Sequence, residues 1–128
     1  MQVLLDTHTL IWWANDHPKL SKNARALLSL LDVEVFVSAV SAIELTTKVR
    51  LGKLPEAAEF AMNFAGNVER LGFHQLAISV DHGQRAGSML GQHKDPFDRL
   101  LMAQSIAENM PIVSNEEAFD EYKVRRIW

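Results

Sequence analysis

Cysteine is absent from this 128-residue chain, and so is any long uninterrupted apolar segment. Without cysteine the chain has no disulfide framework, no thiolate zinc site and no cysteine nucleophile, which fits a reducing compartment. No apolar run reaches the roughly 18 residues of a membrane-spanning helix, and the first residues carry no basic leader. We therefore expect a cytoplasmic protein with no membrane contact.

An excess of positive charge is also missing, because the formal net charge is −3. This balance argues against a protein that holds nucleic acid by bulk charge alone. It is compatible with an enzyme whose metal ions offset local acids. Hydrophobic residues make up 48% of the chain, enough for a core, and we find neither linker nor repeat. Residues 1–128 are therefore predicted to form a single domain.

The five histidines lack the spacing of a histidine-rich zinc site, since neither H-x-x-x-H nor H-E-x-x-H occurs. The hydroxyl side chains are no better placed for nucleophilic catalysis, because no histidine–acid pair accompanies Thr7, Ser38 or Ser41 in the arrangement of a catalytic triad. Zinc-hydrolase and serine-triad chemistries are therefore disfavoured.

Apolar, β-branched segments alternate with helical patterns along the whole chain. Strands are predicted over 3–5, 35–37, 75–78, 112–113 and 124–127, and helices over 7–14, 21–31, 41–51, 55–71, 79–90 and 96–109. This alternation predicts a three-layer α/β/α sandwich with a short, mostly parallel central sheet.

Acidic residues lie where strands are expected to give way to helices: Asp6, Glu44, Asp98 with Asp95 beside it, and Glu116. The first, second and fourth of these positions follow an apolar, β-branched segment. In an open α/β sheet such positions gather at the carboxyl ends of the strands, where ligands bind. Two bare carboxylates about 4 Å apart repel by roughly 4 kcal/mol at an effective dielectric constant near 20. A hard divalent cation such as Mg²⁺ removes this repulsion and prefers oxygen ligands. The pattern therefore predicts a divalent metal site.

Helix capping gives each acid a second interpretation, because the helix dipole stabilises an acid in the first turn by about 0.3–1 kcal/mol. The predicted caps are Asp6 for the first helix, a Ser41–Glu44 capping box, Asp95, Pro96 and Asp98 as N-cap, N1 and N3, and a Ser114–Glu117 capping box. The two interpretations are compatible, since one carboxylate can cap a helix and bind a metal.

Four segments together resemble the PIN-domain family, specifically the VapC-type toxins of bacterial toxin–antitoxin pairs. They are LLDTHTLIWW, VSAVSAIELTTKVRLGKL, HKDPFDRLLMAQSIAENMPIVS and SNEEAFDEYKVRRIW, and they span the whole chain. The resemblance places Asp6, Glu44 and Asp98 at the family's acidic positions. Near the fourth position, where the family often carries Asp and sometimes Asn, this chain offers Glu116 or Asn115.

The resemblance implies an endoribonuclease that requires one or two Mg²⁺ or Mn²⁺ ions, a homodimer and a cognate antitoxin. Asp6, Glu44 and Asp98 are then expected to be catalytic residues that hold the metal, and Asp95 and Glu116 are expected to complete or tune the site.

Basic and apolar side chains are candidates for contacts with RNA and with the antitoxin. Lys48, Lys94 and Arg99, with Arg50, are predicted to meet phosphates, and their alternative is pairing on helix surfaces. Trp12 and Trp13 cannot both be buried easily on a short helix. One is expected to point inward and the other toward solvent or a partner, and Met62 adds apolar surface.

Two other function classes match parts of the pattern. A receiver-like phospho-accepting domain needs an acid pair after its first strand and a lysine after its fifth, whereas Asp6 stands alone and residues 124–128 end the chain. A PIN-like module with a degenerate site, which binds a partner or RNA without cleavage, stays open because of Glu116. Neither the target RNA nor the antitoxin follows from the sequence.

Overall fold

The computed structural model describes residues 1–128. The strands are β1 (Gln2–Leu5), β2 (Glu34–Ser38), β3 (His74–Leu76), β4 (Ile112–Val113) and β5 (Arg126–Ile127). The α-helices are α1 (Thr7–Ala14), α2 (Lys22–Leu28), α3 (Ala39–Arg50), α4 (Ala58–Met62), α5 (Phe64–Arg70), α6 (Val80–Ser88) and α7 (Pro96–Ala107). Short 3-10 helices cover Pro55–Ala57 and Glu117–Glu121. No helix is long and apolar enough to cross a membrane.

The central strand β1 separates two hydrophobic cores, because successive side chains of a strand point to opposite faces of the sheet. Val3 and Leu5 are fully buried in a core with residues of α1, α2 and α5. Leu4 is fully buried in a second core with residues of α3 and α7. Helices therefore cover both faces of the sheet, and the prediction of a three-layer α/β/α sandwich is confirmed.

All strands are parallel and follow the order β3-β2-β1-β4-β5. The chain thus adds β2 and β3 on one side of β1, then β4 and β5 on the other. Such a reversal opens a crevice at the carboxyl ends of the strands, the usual ligand site of this architecture. Asp6 follows β1, α3 with Glu44 follows β2, and Ser114 follows β4, so the topology brings these residues to the crevice.

The region predicted as one helix over 55–71 is broken into a 3-10 turn, α4 and α5, so that prediction is wrong. The break is at Asn63, whose φ of −146° and ψ of 64° are not helical. The Asn63 side chain instead accepts a hydrogen bond from the Gly66 N–H and caps α5. Asparagine favours such local bonds over helix interiors, and the apolar periodicity on either side concealed the break.

Two of the four predicted caps are confirmed. Asp6 is the N-cap of α1 and accepts from the Thr7 N–H. Asp95 is the N-cap of α7, with Pro96 at the first helical position, and accepts from the N–H groups of Phe97 and Asp98.

The two predicted capping boxes are wrong. Helix α3 begins at Ala39 with Ser38 as its cap, so Ser41 and Glu44 lie inside the helix and are buried. Near the C-terminus, Glu116 itself caps the 3-10 helix Glu117–Glu121. The elements otherwise match in order and type. The largest differences are α2, which ends three residues early at Leu28, and β5, which covers two of the four predicted residues.

Candidate active site

Asp6 is a carboxylate held below the protein surface, with only 6% of the residue exposed. Its Oδ1 accepts the Thr7 N–H at 2.7 Å, and its Oδ2 accepts the Ser114 hydroxyl at 2.6 Å. Burial raises the pKa of Asp6 above 3.8 and the charge of Glu44 adds to this, although both hydrogen bonds oppose the shift. A buried acid whose pKa is raised gains from a nearby cation.

Glu44 is equally enclosed, at 3% exposure, although it lies in the middle of α3. Its Oε1 accepts the Thr7 hydroxyl at 2.7 Å, and its Oε2 accepts from Lys48 Nζ at 2.6 Å. The Thr7 hydroxyl also lies 2.9 Å from the Ser41 hydroxyl. Thr7 therefore links the two buried acids, since its backbone bonds Asp6 and its side chain bonds Glu44.

Asp98 lies in the first turn of α7, and 17% of its side chain is exposed. Its Oδ2 is 2.7 Å from His93 Nε2. Burial is the main reason that the pKa of Asp98 is raised to about 6; the hydrogen bond and charge of His93 oppose this shift, and the charges of Asp6 and Asp95 contribute to it. Asp98 is therefore within electrostatic reach of the other acids of the crevice.

Lys48 is a basic residue on which several of these acids act electrostatically. Burial alone lowers its pKa, but the hydrogen bond and charge of Glu44, together with the charges of Asp95 and Asp98, raise it above 10.5. No three acidic or histidine side chains lie close enough together in this arrangement to enclose an ion. The carboxylates are turned toward internal partners instead, and two of those partners are Lys48 and His93.

Neither candidate for the fourth position contacts these acids. Glu116 is half-buried, and its Oε1 accepts the Ala118 N–H at 3.3 Å as a cap. Asn115 is exposed. The choice between Glu116 and Asn115 therefore stays a prediction.

The predicted phosphate-binding residues have different environments. Lys94 is exposed beside an open polar cavity of about 600 Å³, which His93 and Arg99 also line. Arg99 donates to the backbone carbonyls of Ala86, His93 and Met89. This arrangement gives Arg99 a structural role, in which it ties α6 to the loop before α7, and leaves Lys94 as the freer group.

Sequence reasoning missed the hydroxyl groups that orient the acids. Ser114 follows β4, beside β1, and bonds Asp6, whereas the sequence had suggested a cap. Ser41 lies three residues before Glu44 on the same face of α3, and Thr7 directly follows Asp6. Their positions were visible in the sequence, but their roles depend on how the strands pair.

The comparison with known proteins identifies the family. The family model for the PIN domain matches residues 3–124. The chain belongs to the PIN-domain family. No curated protein sequence shows significant similarity to this PIN domain.

Solved structures with the PIN fold match nearly the whole chain. VapBC2 from Rickettsia felis, bound to a DNA fragment from its promoter, has a TM-score of 0.73 at 20% identity and covers 99% of this chain and 98% of its own. DNA-bound VapBC from Salmonella typhimurium has a TM-score of 0.70 at 18% identity, with coverage of 99% and 97%. Mycobacterium tuberculosis VapC20, described as a sarcin–ricin loop cleaving toxin, has a TM-score of 0.64 at 15% identity, with coverage of 96% and 98%.

The acids at the crevice are not drawn together around one point, but their donor atoms are of the chemical type that a hard divalent cation prefers. Asp6, Glu44 and Asp98 offer only oxygen, the ligand type that Mg²⁺ prefers, and no thiolate or imidazole pair competes for a softer metal. Burial raises the pKa values of Asp6 and Asp98 because it disfavours their charged forms. A bound metal ion would stabilise those charged forms.

The pKa of Asp98 predicts how stability depends on pH in the presence of a chelator. The folded protein keeps the Asp98 proton up to about pH 6, whereas an unperturbed carboxyl releases it near 3.8. Stability from this group is therefore present below 3.8 and is lost as the pH rises toward 6. Melting temperatures of the wild type should fall by a few degrees more than those of Asp98→Asn across this window. The exposed Asp32→Asn variant should follow the wild type, and identical slopes for wild type and Asp98→Asn would contradict the prediction.

Proposed function

We propose that this PIN-domain protein is a metal-dependent endoribonuclease that hydrolyses RNA phosphodiester bonds and acts as the toxin of a toxin–antitoxin pair in the cytoplasm. The observation that carries the proposal is the linked pair of buried acids, Asp6 and Glu44, with Asp98 coupled to them at the carboxyl end of a parallel sheet. Nuclease activity is typical of the PIN family, and the VapC20 toxin with this fold is described as cleaving RNA of the sarcin–ricin loop.

In this proposal Asp6, Glu44 and Asp98 hold one or two Mg²⁺ or Mn²⁺ ions, and Asp95 and Glu116 tune the site. A bound divalent ion supplies Lewis acidity toward a phosphoryl oxygen and toward water. Thr7 and Ser114 orient the carboxylates, because their hydroxyl groups donate hydrogen bonds to Glu44 and Asp6, respectively.

The basic residues of the crevice have the task of placing RNA. Lys94 is exposed at the polar cavity beside His93, so an RNA phosphate can reach its ammonium group without displacing protein atoms. Lys48 is paired with Glu44, so its charge becomes fully available to a phosphate only when it leaves that carboxylate. Contacts of this kind position the nucleic acid and carry no sequence information.

Mn²⁺ should raise the melting temperature of the wild type, because a ligand that binds only the native state stabilises it by mass action. At a hundred times the dissociation constant the gain is about 2.7 kcal/mol. Asp6→Asn should respond much less, because it lacks a ligand charge. Differential scanning fluorimetry over a Mn²⁺ series measures both proteins, and Asp32→Asn is the matched control. Equal shifts in wild type and Asp6→Asn would show that Asp6 is not part of the metal site.

An antitoxin partner is proposed because the neighbouring structures include VapBC complexes and because this chain exposes apolar surface. The expectation that Trp12 and Trp13 divide into one inward and one outward side chain is wrong, since both are half-buried at the edge of the first core. Met62 is 87% exposed. A cavity of about 560 Å³ lies between the end of α1 and α4–α5, with Phe60 and Leu71 in its wall. We propose that a partner helix covers this region, and a homodimer stays a prediction.

Expression of the chain alone should reduce colony numbers by orders of magnitude if it is a toxin, and co-expression of the adjacent small open reading frame should restore growth. The two proteins should then co-purify. Asp6→Asn should be harmless without the partner and should still bind it. If expression of the wild type is harmless while the purified protein cleaves RNA in vitro, the toxin role is contradicted and the protein is a housekeeping nuclease.

A binding module without cleavage is the second candidate, and the position of Glu116 favours it. None of the Glu116 hydrogen bonds reaches Asp6, Glu44 or Asp98, so the fourth carboxylate does not join the others. Such a module would bind RNA or a partner and would leave the RNA uncut, with or without a chelator.

A further inference from the structure

Lys48 is a cation of the chain itself that contacts one of the crevice acids. It is one helical turn after Glu44, and its Nζ is 2.6 Å from Glu44 Oε2. Asp95 and Asp98 also act on it electrostatically. The other oxygen of Glu44 is bonded by the Thr7 hydroxyl, so neither Glu44 oxygen is without a partner. A carboxylate oxygen can accept more than one bond, so the obstacle to a metal ion on Glu44 is the positive charge of Lys48 beside Oε2.

The two partners of Glu44 differ in their freedom to leave. Thr7 is 2% exposed, and its hydroxyl also contacts Ser41, so its side chain is fixed by packing. The Lys48 side chain is 32% exposed, and its flexible stem can carry the ammonium group into solvent. Lys48 is therefore the partner that a metal ion displaces.

We propose that Lys48 is a positioning residue that neutralises Glu44 in the metal-free protein, leaves Glu44 when a divalent ion binds, and thereby sets the metal affinity of the site. The inference rests on the proposed metal site and adds a competitor from the chain itself. Lys48 keeps the buried carboxylate in place until metal arrives, and its competition weakens metal binding. Displacement also frees the ammonium group for an RNA phosphate.

The test is calorimetric titration of the full chain with Mn²⁺ alone, without RNA, at neutral pH. Lys48→Met should bind Mn²⁺ on the order of tenfold more tightly, because the competing charge-assisted hydrogen bond is gone. Lys48→Arg keeps the charge and should stay near the wild-type affinity. Lys53→Met removes an exposed lysine close in sequence and controls for net charge. A purely structural role for Lys48 predicts the opposite, since a disordered Glu44 would weaken metal binding.

Melting temperatures provide a second readout. Without metal, Lys48→Met should melt below the wild type, because Glu44 is then buried without its counter-charge. Mn²⁺ should raise its melting temperature more than that of the wild type. If Lys48→Met does not fold, Lys48→Gln retains a hydrogen-bond donor without charge and takes its place in both experiments.

The outcomes separate this inference from the proposed function. Equal or weaker Mn²⁺ binding by the charge-removing variant, with clear binding by the wild type, overturns the inference and leaves the metal site standing. Absence of Mn²⁺ binding in every protein overturns both. Tighter binding in Lys48→Met, together with no RNA cleavage by the wild type, supports the inference while the nuclease function fails.

Discussion

Asp6→Asn, Glu44→Gln and Asp98→Asn are each expected to reduce metal-dependent RNA cleavage by at least about a thousandfold. The estimate follows because a metal's electrostatic contribution of several kcal/mol corresponds to a factor of ten per 1.4 kcal/mol. Each change keeps the shape of the side chain and an oxygen acceptor but removes the charge that a metal ion needs. Initial rates on a defined RNA with Mg²⁺ measure the loss.

The fold should survive these substitutions. Asparagine at position 6 can still cap α1, and the loss of charge removes repulsion between Asp6 and Glu44. Without metal, the melting temperature of Asp6→Asn should therefore stay the same or rise. Asp32→Asn, an exposed acid outside the crevice, should keep the wild-type rate. Wild-type rates in all three crevice variants would mean that these acids only cap helices and pair with neighbours.

Thr7→Val is expected to lower the cleavage rate about 10- to 100-fold, the usual effect of removing a group that orients a metal ligand. The Thr7 hydroxyl donates to Glu44 Oε1 at 2.7 Å and is 2% exposed, so valine fills the space but leaves the carboxylate oxygen without its donor. Stability should also fall by about 1–3 kcal/mol, because a buried acceptor loses its partner.

Thr9→Val is the matched control for this effect. Thr9 lies on the same helix, is 1% exposed, and donates its hydroxyl to the Val113 carbonyl rather than to an acid. In urea unfolding, Thr9→Val should lose a similar amount of stability, because a buried acceptor again loses its donor. Its cleavage rate should stay close to that of the wild type, because Thr9 does not contact an acid. Equal rate losses in the two variants would assign the effect of Thr7→Val to general destabilisation.

The sequence predicted the fold because its signals are local. Alternating apolar segments indicate each strand and helix, and a helix between two successive strands implies that the strands are parallel. Local signals were insufficient at Asn63, where the apolar pattern of one long helix continues across a break made by side-chain bonding to the backbone. They also misplaced the start of α3, because the spacing of Ser41 and Glu44 suggested a capping box, whereas the Ser38 hydroxyl accepts from the Val40 N–H and caps the helix three residues earlier.

The candidate site was predictable in its acids but not in its partners. Asp6 and Glu44 were predicted from their positions after strands and Asp98 from its place in the first turn of a helix. In the structure Glu44 acts electrostatically on Asp6, and Asp6 on Asp98, while their role as metal ligands stays a prediction. The contacts of Ser114 with Asp6 and of His93 with Asp98 depend on how distant segments are brought together, which no local pattern encodes. Pairing on a helix surface was the alternative for Lys48, and its ion pair with Glu44 differs from such a surface pair because the Glu44 carboxylate is buried.

RNA cleavage by the purified wild type, before and after removal of divalent ions, distinguishes a metal-dependent nuclease from a binding module. We expect a defined single-stranded RNA to be cut at internal sites with Mg²⁺ or Mn²⁺, EDTA to stop the reaction, and an excess of either metal to restore it. Asp6→Asn prepared in parallel should stay inactive throughout, which excludes a contaminating nuclease. Intact RNA with both metals, from a folded protein that binds Mn²⁺, would contradict the account, as would cleavage that EDTA leaves unchanged.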